Sequence, residues 1–136
     1  MGANGMFALR ANMMIEAGMQ QVLDDFRGMK RQVIIDIETS GLTPETGDII
    51  RLSAVNRFDP DDDFDEPVKP SRPMLPLAEK LTGTTNAKLA RCRSIDAVLP
   101  DFLDFIDGAE LGSDDLAFDL MFLDAAEEQL SLKDRL

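Results

Sequence analysis

Asp36 and Glu38 are the residues of this chain best suited to chemistry, two apart in V-I-I-D-I-E-T-S-G at 33–41. Alternate side chains of a strand leave the same face, so the two carboxylates would lie about 7 Å apart along the backbone. Apolar residues surround the aspartate, and acids at the end of a buried strand lose solvation unless something pairs with them. No Lys or Arg lies between Val33 and Ile50. A hard divalent cation, Mg²⁺ or Mn²⁺, is the natural partner, because such ions prefer carboxylate oxygen. The bland alternative is a strand whose end carries two solvated acids before a tight turn. At ordinary residue frequencies D-x-E-T-[ST]-G arises about once per million positions, which weighs against coincidence.

The elements that must position these acids follow from the surrounding pattern. The strand breaks at Ser40-Gly41, and Leu42-Thr43-Pro44-Glu45 places proline where a turn favours it. Strands are expected at 32–37, 48–58 and 64–69, with short links that suit antiparallel neighbours. Pro67, Pro70, Pro73 and Pro76 make 67–76 an extended connection. A short helix fits 77–82. Ser94 suits the N-cap of a helix through Ile106, with Ala97, Val98, Phe102, Phe105 and Ile106 as its apolar stripe. Gly108 ends that helix. A strand at 109–112 would run parallel to the first, with the 94–106 helix as crossover. A last helix covers 118–130.

Residues 1–30 read differently from the rest. Met6, Phe7, Leu9, Met13, Met14, Met19, Val22, Leu23, Phe26 and Met29 recur at helical spacing. Glu16, Asp24 and Asp25 argue against a targeting signal. The expected organisation is a helical extension over 1–30 and an α/β domain over 31–136.

The totals bound the partners. The 136 residues carry a net charge of −12, which opposes strong nonspecific binding to nucleic acid. No run reaches the roughly 20 apolar residues of a membrane helix, so no membrane partner is expected. The lone Cys92 fits a reducing, cytoplasmic setting. Asp59, Asp61, Asp62, Asp63, Asp65 and Glu66 lack the glycine and distal glutamate of a calcium loop and read as a solvated hairpin tip. Lys88, Arg91 and Arg93 form the local basic cluster, either a phosphate contact or a surface helix face.

Asp36-Ile37-Glu38-Thr39-Ser40-Gly41-Leu42 resembles the first motif of the DEDD superfamily of 3′–5′ exonucleases, and of the epsilon-like proofreading branch of DNA polymerase III in particular. Asp48 to Val55 resembles that family's second strand, Leu81-Thr82-Gly83-Thr84-Thr85 its L-T-G helix end, and Ala117 to Leu123 its second motif. The resemblance covers residues 32–130. It implies a ribonuclease-H-like exonuclease fold with a mixed sheet, lacking its C-terminal strand and helix. It also implies Asp36, Glu38 and Asp119 as catalytic residues and ligands of two Mg²⁺ or Mn²⁺ ions. Thr39 and Ser40 would contact the terminal nucleotide of a single-stranded DNA or RNA 3′ end, with a DNA polymerase subunit as a partner.

Three departures accompany the likeness. The family's third motif, with its general-base His or Tyr, is absent, and the 136 residues contain no His and no Tyr. Asp114 and Asp115 stand where relatives carry a His-Asn pair. Relatives also tend to have an acid where Arg51 stands. The expectation is a catalytically incomplete exonuclease domain, with a non-catalytic nucleic-acid- or protein-binding module as the alternative. The methionine-rich 6–29 segment is expected to cover the gap left by the missing helix, within one chain or across a homodimer.

Overall fold

The computed structural model describes residues 18–20, 22, 28 and 30–135. The chain divides into Met1–Lys30 and Arg31–Leu136. The covering helix expected over 6–29 lies largely outside the described residues.

Strand β1 (Gln32–Thr39) follows from simple alternation: Val33, Ile35 and Ile37 are buried, while Ile34, Asp36 and Glu38 point to the other face. β2 (Ile49–Asn56) pairs antiparallel with β1, and β3 (Asp59–Pro67) antiparallel with β2. β4 (Glu110–Gly112) pairs parallel with β1, giving the order β3-β2-β1-β4. The described residues of the 31–136 unit add helices α1 (Pro76–Thr82), α2 (Asn86–Leu89), α3 (Ile95–Ile106) and α4 (Leu116–Arg135). The mixed α/β arrangement is the expected one.

The two long helices cover one face of the sheet. Val98, Leu99 and Phe102 of α3 and Phe122 and Leu123 of α4 join Val33, Ile35, Ile37, Leu52 and Ala54 in one buried cluster. Cross-strand partners share a face. The opposite face therefore carries the rows Ile34–Val55–Asp63, Asp36–Ser53–Asp65 and Glu38–Arg51–Pro67. A smaller cluster of Ile50, Met74 and Leu89 anchors α2 and the proline-rich connection.

Several boundaries differ from expectation, each for a local reason. The acids at 59–66 form strand β3 itself and are not a hairpin tip. The reversal occurs at Arg57 and Phe58, where the Asn56 side-chain oxygen accepts the Phe58 N–H at 3.0 Å. Arginines pair with this acidic edge: Arg31 with Asp62, Arg51 with Asp65, and Arg93 with Glu66. Helix α2 is an additional element, four residues long. Thr85 caps it by accepting the Lys88 N–H, and the Asn86 side chain bridges both backbone groups of Met74. Ser94 does occupy the N-cap of α3, but its side chain makes no capping bond; its carbonyl accepts from Ala97 and Val98.

The turn after β1 closes backbone on backbone. A Cβ added at Gly47 would stand 2.3 Å from the Gly41 nitrogen, and one at Gly41 would stand 2.9 Å from the Gly47 Cα. Arg72 fastens the loop from outside, reaching the Asp48 carboxylate and the carbonyls of Glu45 and Gly47.

Candidate functional site

Asp36 and Glu38 leave the face of β1 opposite α3 and α4, as their two-residue spacing requires. Asp119 reaches the same region from the first turn of α4, and at 5% exposure it is the buried charged residue of the described domain. Burial pushes its carboxyl above the usual carboxylate range. A hydrogen bond from Ser113 opposes the shift, and the charges of Asp36, Asp115 and Asp114 add to it. The negative charge of Asp36, on β1, thus bears on the Asp119 carboxyl of α4. No Lys or Arg pairs with either among the described residues.

Glu38 has a different environment. It lies in register with Arg51, whose guanidinium is held by both Asp65 oxygens at 2.8 Å. The Ser53 hydroxyl donates to the same carboxylate. Glu38 and Arg51 also line a cleft of about 390 Å³ with Thr82, Gly83, Thr84 and Lys88. The D-x-E and L-T-G segments, some forty residues apart in sequence, thus meet at one concave surface. Gly83 ends α1 with φ 74°, the left-handed conformation that glycine adopts without cost.

Thr39 and Ser40 sit beside the acids with their hydroxyls engaged in the turn. Thr39 Oγ1 donates to the Gly41 carbonyl at 2.7 Å, and Ser40 Oγ accepts the Asp48 N–H at 2.9 Å. Of the two acids at 114 and 115, Asp114 is exposed and Asp115 caps α4, its Oδ1 accepting the Phe118 N–H at 3.1 Å. That cap starts the helix at Leu116, two residues before the expected position. An Asp just before an apolar run is a legible N-cap signal. The bond from Ser113 to Asp119 had no comparable signal, since nothing in the spacing predicts it.

The donor set fits a divalent cation in kind. Hard carboxylate oxygens suit such an ion, and among the described residues no Lys or Arg forms an ion pair with Asp36 or Asp119. In number it is open: among the described residues no three acids stand close enough together to hold one ion as a closed group. The fold bears the cost of the buried charge. A carboxyl whose folded value is raised holds its proton more tightly in the native state. Its contribution to stability is then present at low pH and is lost as pH rises from the unfolded value, about 3.9, through the folded one. Asp119→Asn should therefore raise the metal-free thermal midpoint at pH 7 by a few degrees, with the gain fading below about pH 4. Thermal melts in EDTA across pH check this; an unchanged or lower midpoint at pH 7 contradicts it.

Comparison with known proteins gives consistent matches. The RNase_T family, described as exonuclease, matches residues 33–134. A DNA polymerase III of PolC type from Thermotoga petrophila is 37% identical over 93 residues, covering 67% of this chain and 7% of the relative. The chain thus spans about 7% of the length of the curated relatives it matches. Among solved structures, Exonuclease X in complex with 5′-overhanging duplex DNA aligns with a TM-score of 0.55 and 28% identity, over 68% of this chain and 53% of that one. E. coli Exonuclease I in complex with an oligonucleotide aligns with a TM-score of 0.63 at 14% identity, over 75% of this chain and 24% of that one, a likeness of fold.

Proposed function

The chain belongs to the RNase_T family of exonucleases, and from that premise we propose that its acids serve cation-dependent hydrolysis of phosphodiester bonds at nucleic-acid 3′ ends. The observation that carries this reading is the unrelieved pair of Asp36 and Asp119, one buried and both without a basic partner among the described residues. Such an arrangement costs stability and gains meaning when a cation is shared between the two acids.

In this reading Asp36, Glu38 and Asp119 hold Mg²⁺ or Mn²⁺. The bound ion supplies Lewis-acid polarisation of the phosphate and a water acidic enough to act near neutral pH. Thr39 contacts the terminal nucleotide as an acceptor, because its hydroxyl proton already goes to Gly41. Ser40 holds the strand end in place through Asp48. The cleft beside Glu38 receives the terminal nucleotide, with Lys88 at its rim for phosphate. Single-stranded DNA is the proposed substrate and a polymerase the proposed context, because the matched relatives are DNA polymerase III proteins.

A second reading, binding without cleavage, is favoured by one specific fact: none of the 136 residues is a His or Tyr that could accept the proton. The first reading requires the cation. Calorimetric titration with Mn²⁺ should show weak, saturable binding that Asp36→Ala combined with Glu38→Ala removes. A binding isotherm unchanged by the double substitution would sink the site assignment.

A further inference from the structure

Ser113 stands between β4 and α4 at the centre of a short hydrogen-bonded circuit. Its hydroxyl donates to Asp119 Oδ2 at 2.5 Å. Its oxygen accepts the Asp115 N–H at 3.3 Å. The Asp115 carbonyl accepts the Asp119 N–H at 3.0 Å, which returns the circuit to the same aspartate. A serine hydroxyl has one proton. With the Asp115 amide on its lone pair, that proton is directed to Oδ2.

The backbone of this residue is fixed to the strand that carries the other acid. Gly112, immediately before it, pairs in register with Ile34, two residues before Asp36. A Cβ on Gly112 would stand 3.0 Å from Ile34 Cδ1, so a larger residue there would need the end of that exposed side chain to give way for β4 to seat this closely on β1. The Ser113 hydroxyl is thereby placed relative to Asp36 by the sheet and relative to Asp119 by its own hydrogen bond. An aspartate carboxylate otherwise turns about a broad, two-fold torsion.

Resting on the cation-site reading above, we propose that Ser113 is a positioning residue that holds Oδ2 of Asp119 and so fixes the orientation of the carboxylate that would bind the cation. Hydrogen-bond partners of ligating carboxylates fix ligand orientation, and their loss typically costs 10–100-fold in metal affinity. The role is specific to a hydroxyl at this position: threonine keeps it and alanine does not.

The test is Mn²⁺ titration of the full 136-residue chain by calorimetry, with folding monitored by circular dichroism in EDTA. Ser113→Ala is expected to weaken Mn²⁺ binding by roughly tenfold, and Ser113→Thr to stay within about threefold of the parent. A residue that only supported the fold would shift the thermal midpoint in EDTA and leave the affinity of the folded protein unchanged. Parental affinity in Ser113→Ala, or an equal loss in Ser113→Thr, overturns the proposal. Asp119→Asn separates the two levels. Unchanged Mn²⁺ affinity in that variant overturns the cation site itself. Loss there together with parental affinity in Ser113→Ala overturns only the role of Ser113.

Discussion

A labelled single-stranded oligonucleotide incubated with these 136 residues and Mg²⁺ or Mn²⁺ should lose 3′ nucleotides about 10²–10⁴-fold more slowly than with an intact proofreading exonuclease, the range a general base typically supplies. The reason is compositional: the carboxylates are present, but no His or Tyr is. Two of the carboxylates near the site are already engaged. Asp115 caps α4, and Asp65 is held by Arg51 and Ser53. The measurement is single-turnover cleavage with the Asp36→Ala variant as blank. Turnover equal to that of an intact enzyme, abolished in the variant, would show that some residue here takes the proton and that the deficit is imaginary.

Phe102→Ala should cost about 3–5 kcal/mol of folding free energy, as large aromatic truncations in a core do. Phe102 is fully buried and sits where α3 crosses the sheet. Its ring meets Phe64 of β3 edge-on, with centroids 5.5 Å apart. Truncation leaves a void bounded by strands on one side and helix backbone on the other, where collapse is hard. Urea unfolding with a constant slope reads the effect as a shift in midpoint. Leu81→Ala, at a position 77% exposed, serves as the control and should change stability by no more than about 0.5 kcal/mol. A cost for Phe102→Ala below about 1 kcal/mol would mean that α3 is not the lid of this core.

The parts of the fold that sequence made legible are those set by a single repeating rule. Alternation placed β1 and put Asp36 and Glu38 on one face; the apolar stripe of α3 and the glycines at 83 and 108 set helix ends. What stayed hidden depends on residues distant in the chain. The acids at 59–66 looked like a loop because their arginine partners, Arg31, Arg51 and Arg93, lie elsewhere in sequence. Helix α2 is one turn long and exists through Thr85 and Asn86, so no periodicity could announce it. At the candidate site, the proposed ligands come from D-x-E and, through the family resemblance, from Phe118-Asp119. The burial of Asp119, the bond from Ser113 and the cleft joining Glu38 to Thr82–Thr84 are products of packing.

The contact between Gly41 and Gly47 makes the intervening loop a gauge of fixed length. Where side chains meet, an extra residue can be absorbed by a change of rotamer; where main chain meets main chain, it cannot. Leu42 and Glu45 are exposed, so their identities are free to drift. The number of residues between the glycines is not. One more or one fewer would carry Asp48 out of reach of Ser40 and Arg72, and would change the pairing offset that already falls between Glu38 and Thr39. The spacing of 42–46 thus sets the end of the strand that carries Asp36 and Glu38.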